Sequence, residues 1–274
     1  MLMERRPLLS EARCEPVIRD TVIDQDGNVI EAHMPGERPL TLYLDKREIV
    51  TLMTLGQNPE ALVLGYLRNQ RLVENLRDVA TLQVDWEVDA AAITTWGGDA
   101  GERCEELLKR RTVTSGCGQG TQFGDHLERL EALPPHQGPA IPRSTLYALV
   151  NEVRQLDTIY KKSGAVHGCV LADGSRVLHH IEDIGRHNAV DSISGLMWQE
   201  GASGHDKLFY TTGRLTSEMV IKVVEMGVPV LISRSGTTEM GLAVARRCGV
   251  TLIGRARNER FLVFNGAERI DFGA

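Results

Sequence analysis

The sequence has no apolar run near the ~18 residues that a membrane-spanning helix needs. No apolar signal segment opens it either, since MLMERRPLLS turns polar within its first residues. It has no excess of positive charge. With 31 lysines and arginines against 37 aspartates and glutamates the formal charge is −6, which argues against nucleic acid as a partner and leaves positive charge to be sought in local patches. A paired cysteine framework is missing too. The 5 cysteines, at positions 14, 104, 117, 169 and 248, are odd in number and scattered, so reduced thiols and a cytoplasmic protein are expected. Internal repeats and low-complexity tracts are absent, which sets repeat architectures aside.

What is present is enough for a sizeable core: 274 residues, 42% of them apolar. That length exceeds the prior of about 150 residues for one domain, so one large domain or two unequal ones fit. Residues 1–36 carry the breakers Asp26-Gly27-Asn28 and Pro35-Gly36 and predict a surface hairpin at most. PLTLYLDKREIVTLM alternates Leu40, Leu42 and Leu44 against Thr41 and Tyr43 and turns near Asp45-Lys46, the pattern of a hairpin buried on one face. Asn58-Pro59-Glu60 reads as a cap, a proline at the first helical position and an acid in the first turn, opening a helix to about Leu72. TLQVDWEV, 81–88, is a further strand, and Trp96-Gly97-Gly98 reads as a loop within the irregular stretch 89–113. LPPHQGPAIP, 133–142, holds 4 of the 10 prolines and is the linker candidate, dividing the chain into 1–135 and 136–274.

Beyond the linker the pattern is regular. Ser144 is the expected cap of a helix carrying Leu146, Leu149, Val150 and Val153; VHGCVL and RVLHHIE are strands joined at Ala172-Asp173-Gly174-Ser175. A helix with Val190, Ile193 and Met197, the strand 208–212, a helix from Thr216 to Gly227, the strand VPVLIS, a helix closed by Gly249 and the strands VTLIG and RFLVFN follow. That order implies an α/β (α+β) fold, a mixed sheet flanked by helices and largely parallel in its later part. Ligands of such sheets bind at the carboxyl ends of strands. Arg214 follows one strand there, Arg234 to Thr238 another, and Gly254, Arg255, Ala256, Arg257, Asn258, Glu259 and Arg260 the third. Each alone fits helix capping plus a solvated arginine. Together they suit an anionic ligand such as a nucleotide, with phosphate oxygens on hydroxyls and helix N-termini.

Two further stretches carry reactive groups. In TSGCGQG, 114–120, Cys117 sits between Gly116 and Gly118, downstream of Lys109, Arg110 and Arg111. Nearby positive charge lowers a thiol pKa and raises the thiolate fraction that attacks sulfur; a plain glycine-rich turn holding a cysteine is the alternative. EDIGRHNAVD, 182–191, packs Glu182, Asp183, Arg186, His187, Asn188 and Asp191 around the turn glycine Gly185. Either one of its carboxylates simply pairs Arg186, or the cluster serves a site in which His187 holds a thiol or a phosphate.

TSGCGQG, VHGCVL, EDIGRHNAVDSISG and the run from TTGRLTSEMV to RFLVF, in that order and spacing, resemble the FdhD family of formate dehydrogenase accessory sulfurtransferases. ERPLTLYLDKREIVTLMTLGQNPEALVLGYL looks like that family's N-terminal half, so the resemblance runs from residue 37 onward. It implies a cytidine-deaminase-like sheet domain with a smaller N-terminal α+β domain. It implies a sulfur carrier that takes sulfane sulfur from a cysteine desulfurase as a persulfide. The recipient would be a molybdenum or tungsten bis-molybdopterin guanine dinucleotide, bound as substrate with GDP or GMP as analogues, for a formate dehydrogenase catalytic subunit.

The resemblance also implies a homodimer; charge, the lack of a long apolar run and the incomplete zinc motif lead to the expectation of no nucleic acid, no membrane and no structural metal. The family's persulfide cysteine, the first of a C-x-x-C loop, aligns with Cys117, while position 120 is glycine here. A single cysteine suffices for transfer; any step needing a second would require Cys104 or Cys169 to approach. The guanine nucleotide would fall on Arg214, Ser235, Thr237, Thr238 and 254–260, supported by His167, Asp183, Arg186, His187 and Asn188.

Two rival readings remain. His167-Gly168-Cys169 faintly suggests a deaminase-type zinc hydrolase, but the glutamate expected two residues after the histidine is absent and no P-C-x-x-C follows. The second is a chaperone that binds the cofactor and the dehydrogenase without moving sulfur.

Overall fold

The computed structural model describes residues 6–101 and 140–273. Cys104, Cys117, residues 133–139 of the proline-rich stretch and the expected boundary at 135/136 lie outside the described residues.

In the first unit, β1 (Leu8–Leu9) is followed by the hairpin β2 (Val17–Ile23) and β3 (Val29–Pro35), the one predicted for the N-terminal region. The next hairpin joins β4 (Arg38–Leu44) to β5 (Arg47–Thr54) through Asp45 and Lys46, both at positive φ. That left-handed pair matches the twist of the two strands, as a two-residue turn requires. Helix α1 (Pro59–Asn69) starts where predicted and ends before Leu72. Asn58 makes no side-chain capping bond; instead the first-turn acid Glu60 accepts from Ser10 Oγ at 2.7 Å and Ala12 N at 2.9 Å, fixing the N-terminal segment to the helix. Strand β6 (Val79–Asp85) pairs with β7 (Ala90–Thr95).

The sheet order β1-β6-β7-β4-β5 buries Leu40, Leu42 and Leu44 against α1. Strand β7 falls in the stretch the pattern left unplaced. Its three alanines carry little strand propensity, and pairing with β4 on one side and β6 on the other holds them in the sheet.

The second unit begins with β8 (Ile141–Pro142), which pairs with β15 (Ile270–Asp271), and α2 (Arg143–Gln155). The helix starts one residue before Ser144, on Pro142, and without a side-chain cap; proline's fixed φ leads the chain in where a hydroxyl was expected to. Short α3 (Ile159–Ser163) precedes β9 (His167–Asp173) and β10 (Arg176–Asp183). Then come α4 (Arg186–Glu200), β11 (Leu208–Thr211), α5 (Ser217–Glu225), β12 (Val230–Ser233), α6 (Glu239–Cys248), β13 (Thr251–Arg257) and β14 (Arg260–Asn265).

The six-stranded sheet runs β10-β9-β11-β12-β13-β14, with β11, β12 and β13 parallel and the outer pairs antiparallel. Strand residues alternate between its two faces, as the two-residue period of a strand requires. Phe209, Leu231 and Leu252 pack with α4, α5 and α6 on one face, while Leu208, Tyr210, Val230, Ile232 and Ile253 pack with Leu146, Leu149 and Val150 of α2 on the other. The expected mixed sheet flanked by helices, with a smaller α+β unit before it, is the fold.

The units meet where α1 crosses α4. A Cβ on Gly65 would fall 1.7 Å from Asp191 O, and one on Gly195 1.9 Å from Ala61 O, so the two backbones touch where neither helix carries a side chain. Around that crossing the polar groups are paired. Asp191 accepts from Lys222 Nζ at 2.6 Å and from Asn69 Nδ2 at 2.7 Å, while Ser194 Oγ donates to Asn69 Oδ1 at 3.0 Å.

Candidate functional site

The topology gathers the chemistry on one edge of the larger sheet. Strands β10, β11, β12 and β13 all end there, and antiparallel β9 begins there, so His167 stands opposite Asp183 and its neighbour Gly168 opposite Glu182. Gly168 N donates to Thr212 Oγ1 at 3.0 Å, closing the start of β9 on the end of β11.

Along this edge run adjoining cavities. One of about 410 Å³ is lined by Tyr160, His167, Ile184, Thr212, Arg234, Ser235 and Arg257 among others. A second, about 360 Å³, shares Tyr160, Thr212, Arg234 and Arg257 and adds Gly168, His180, Glu182 and Tyr210. A third, about 860 Å³, extends from Arg257 across Arg255, Asn258, Glu259 and Arg260 toward Arg154 and Tyr147 of α2. The Arg234 guanidinium lies 5.8 Å from the centre of the Tyr160 ring, a cation–π distance. Tyr160 is held by Glu182, whose carboxylate accepts from Ile159 N and, at 3.1 Å, from Tyr160 N, and so caps α3.

The EDIGRHNAVD residues separate into two tasks. Asp183 accepts from Thr54 Oγ1 at 2.6 Å and Leu55 N at 3.2 Å in the first unit, and from Asn188 Nδ2 at 2.8 Å. Burial still pushes its pKa upward. His187 Nε2 lies 3.2 Å from Glu218 Oε2, an ion-pair distance, and burial holds the imidazole below its usual pKa. Burial also holds His167 low, with the positive charge of Arg186 adding to it. The expected pairing of Arg186 with a neighbouring carboxylate does not form. Glu182 faces the amides of α3 and Asp183 faces the first unit, each taken by backbone or side-chain donors closer to it.

The profile of the FdhD/NarQ family matches residues 35–271. The chain belongs to that family. It is 28% identical over 243 residues, covering 88% of this chain and 92% of the relative, to the sulfur carrier protein FdhD of Listeria monocytogenes. It is 29% identical over 255 residues, 92% of this chain and 97% of the relative, to the sulfur carrier protein FdhD of Bacillus subtilis. Among solved structures, a candidate formate dehydrogenase accessory protein from Desulfotalea psychrophila superposes with a TM-score of 0.74 at 28% identity, covering 93% of this chain and 98% of that one.

For an FdhD/NarQ chain the predicted positions distribute unevenly. His167, Ser235 and Arg257 line the first cavity, and Arg255, Asn258, Glu259 and Arg260 line the third. Gly254 brings β13 close to its neighbours: a Cβ there would lie 2.8 Å from the Phe264 ring and 3.2 Å from Ser235 O. Ala256 lines the second cavity. Arg214 is exposed and near enough for its charge to act on His167. Thr237 and Thr238 serve the backbone: Thr237 Oγ1 donates to Leu215 O at 3.1 Å, and Thr238 Oγ1 accepts from Gly241 N at 3.1 Å as the cap of α6.

Cys117 lies outside the described residues. Cys169 is fully buried with its Sγ 3.4 Å from Thr211 Oγ1, and burial pushes its thiol up to about 12, so it is a core residue. Tyr160 and Thr212 were not among the predicted site residues, whereas Arg234 opens the strand-end stretch 234–238 that the sequence pointed to. Arg234 was legible as the residue directly after β12; Tyr160 was not, because α3 is too short to leave a periodic signal.

Proposed function

We propose that this chain is a sulfur carrier of formate dehydrogenase maturation. Its substrate side is a molybdenum or tungsten bis-molybdopterin guanine dinucleotide, and its sulfur source is a cysteine desulfurase. The observation that carries the reading is the arginine-lined sheet edge, where Arg234, Arg257, Ser235 and Thr212 face common cavities in a chain of the FdhD/NarQ family. Arginine forks match phosphate oxygens in pairs, and aromatic Tyr160 beside Arg234 offers a flat apolar wall to a purine.

In the loading step the Cys117 thiolate attacks the outer sulfur of the donor persulfide. A new S–S bond forms at Cys117, the donor S–S bond breaks, and the donor leaves as a thiolate. Mass spectrometry after incubation with a desulfurase and free cysteine then finds Cys117 heavier by about 32 Da, one sulfur atom. Cys117→Ala abolishes formate dehydrogenase activation and leaves guanine nucleotide binding intact.

A cofactor chaperone that moves no sulfur is the second reading, favoured by Gly120 at the place of the family's second loop cysteine. A fully active Cys117→Ala protein would establish it.

A further inference from the structure

The short helix α3 has little of its own to hold it in place. None of its 5 residues is buried, and so short a helix is not stable by itself. Its position depends on hydrogen bonds at its two ends and on β3, which packs against it. At the far end Gly164, at φ 72°, donates its N–H to Tyr160 O at 2.8 Å. At the start Lys161 N donates to Thr158 Oγ1 at 3.1 Å, and the two amides before it, Ile159 N and Tyr160 N, donate to the two oxygens of Glu182. A single side chain of β10 therefore satisfies both.

Glu182 is 6% exposed and is the one carboxylate among the described residues lining the second cavity. A lone acid in such a cavity invites assignment as a reader of guanine, whose N1–H and 2-amino group present adjacent donors. Here each carboxylate oxygen already faces a backbone N–H, and bonds to an ionised acceptor are roughly twice as strong as neutral ones. What Glu182 fixes instead is the amide of Tyr160, the residue whose ring centre lies 5.8 Å from the Arg234 guanidinium. Tyr160 is 44% exposed, so packing contributes little to keeping the ring there.

We infer that Glu182 is a positioning residue: through the first turn of α3 it sets the Tyr160 ring as the wall against which the base of the ligand stacks, and it does not read the base itself. The identity of the ligand rests on the proposed nucleotide reading; the placement of Tyr160 does not.

The test is calorimetric titration of the full chain with GDP and with IDP, which lacks only the 2-amino group, at a temperature where every variant is folded. Tyr160→Ala should weaken both about 5- to 100-fold, the range for losing a side chain on which a base stacks. Glu182→Gln keeps one acceptor and loses the charge, and should weaken both alike by about 3- to 10-fold. In the Tyr160→Ala background it should add nothing further, because the two changes remove the same interaction. Asp45→Asn, which disturbs the hydrogen bonds to Thr95 and Ala100 in the first unit, should leave both affinities unchanged and so separates lost stability from lost positioning.

A loss in Glu182→Gln that is larger for GDP than for IDP, or that persists without Tyr160, would overturn the positioning role and make Glu182 a base reader. Affinities unchanged in Glu182→Gln would overturn it as well and leave the nucleotide reading standing. A wild-type chain that ignores both nucleotides would sink the nucleotide reading, and amide hydrogen exchange then decides on Glu182. The Ile159 and Tyr160 amides should be protected in the wild type and exchange freely in Glu182→Gln. Should that variant not fold, the wild type alone decides: protected amides support the role, and amides that exchange as fast as an open loop overturn it.

Discussion

Two buried polar regions of this molecule differ in one respect. At the α1–α4 crossing Asp191, Lys222, Asn69 and Ser194 satisfy one another. At the sheet edge Arg186 is as deeply buried, yet two of its nitrogens have no partner among the described residues. The first region is complete within the chain and holds it together. The second leaves donors of the Arg186 guanidinium open among the described residues. A buried polar group therefore signals structure or ligand according to whether its hydrogen bonds close internally.

The largest effect expected from breaking this contrast is at the crossing. Lys222→Met leaves Asp191 buried without its ion-pair partner and should cost about 3–5 kcal/mol, read by urea denaturation. The double change Lys222→Met with Asp191→Leu should cost clearly less than the single one. Next, Gly65→Ala puts a methyl onto Asp191 O and forces the helices apart, a cost near the upper end of overpacking, about 3 kcal/mol. The same denaturation curves check it.

At the edge, Arg257→Ala should leave stability nearly unchanged while weakening GDP about tenfold or more, as befits an exposed arginine that lines the cavities. Exposed Arg214→Ala should weaken it less. Unchanged GDP affinity in both variants would remove these strand ends from the nucleotide site.

The smallest effect is in pH. Burial lowers the pKa values of His167 and His187 from 6.5, so between the folded and unfolded values the unfolded chain binds more protons. Stability is full above the unfolded pKa near 6.5 and falls as pH drops below it. Melting temperatures taken from pH 7 to 5.5 should show the decline, and His187→Gln should flatten it.

Much of this was legible in the sequence. The strand and helix order of the larger unit followed from apolar runs punctuated by glycine and proline, and the strand-end rule led to Ser235 and Arg257. The contents of EDIGRHNAVD were visible, but not their division. Residues 182 and 183 point to opposite faces of a strand, so adjacent acids serve different neighbours, and no local pattern says which. The α1–α4 crossing was hidden for the same reason. Nothing local marks Gly65 and Gly195 as contact points until the partner backbone is known, and the alanines of β7 are held as strand by its two neighbours.

The adjacency of Glu182 and Asp183 has a mechanical consequence. Asp183 is anchored in the N-terminal unit through Thr54 and Leu55, and the residue before it grips the start of the short helix that carries Tyr160. Hydrogen bonds join the small unit, this strand tip and the aromatic wall of the cavity in one line. A partner that leaned on the N-terminal sheet would thus have a lever on the mouth of the site more than a hundred residues away along the chain.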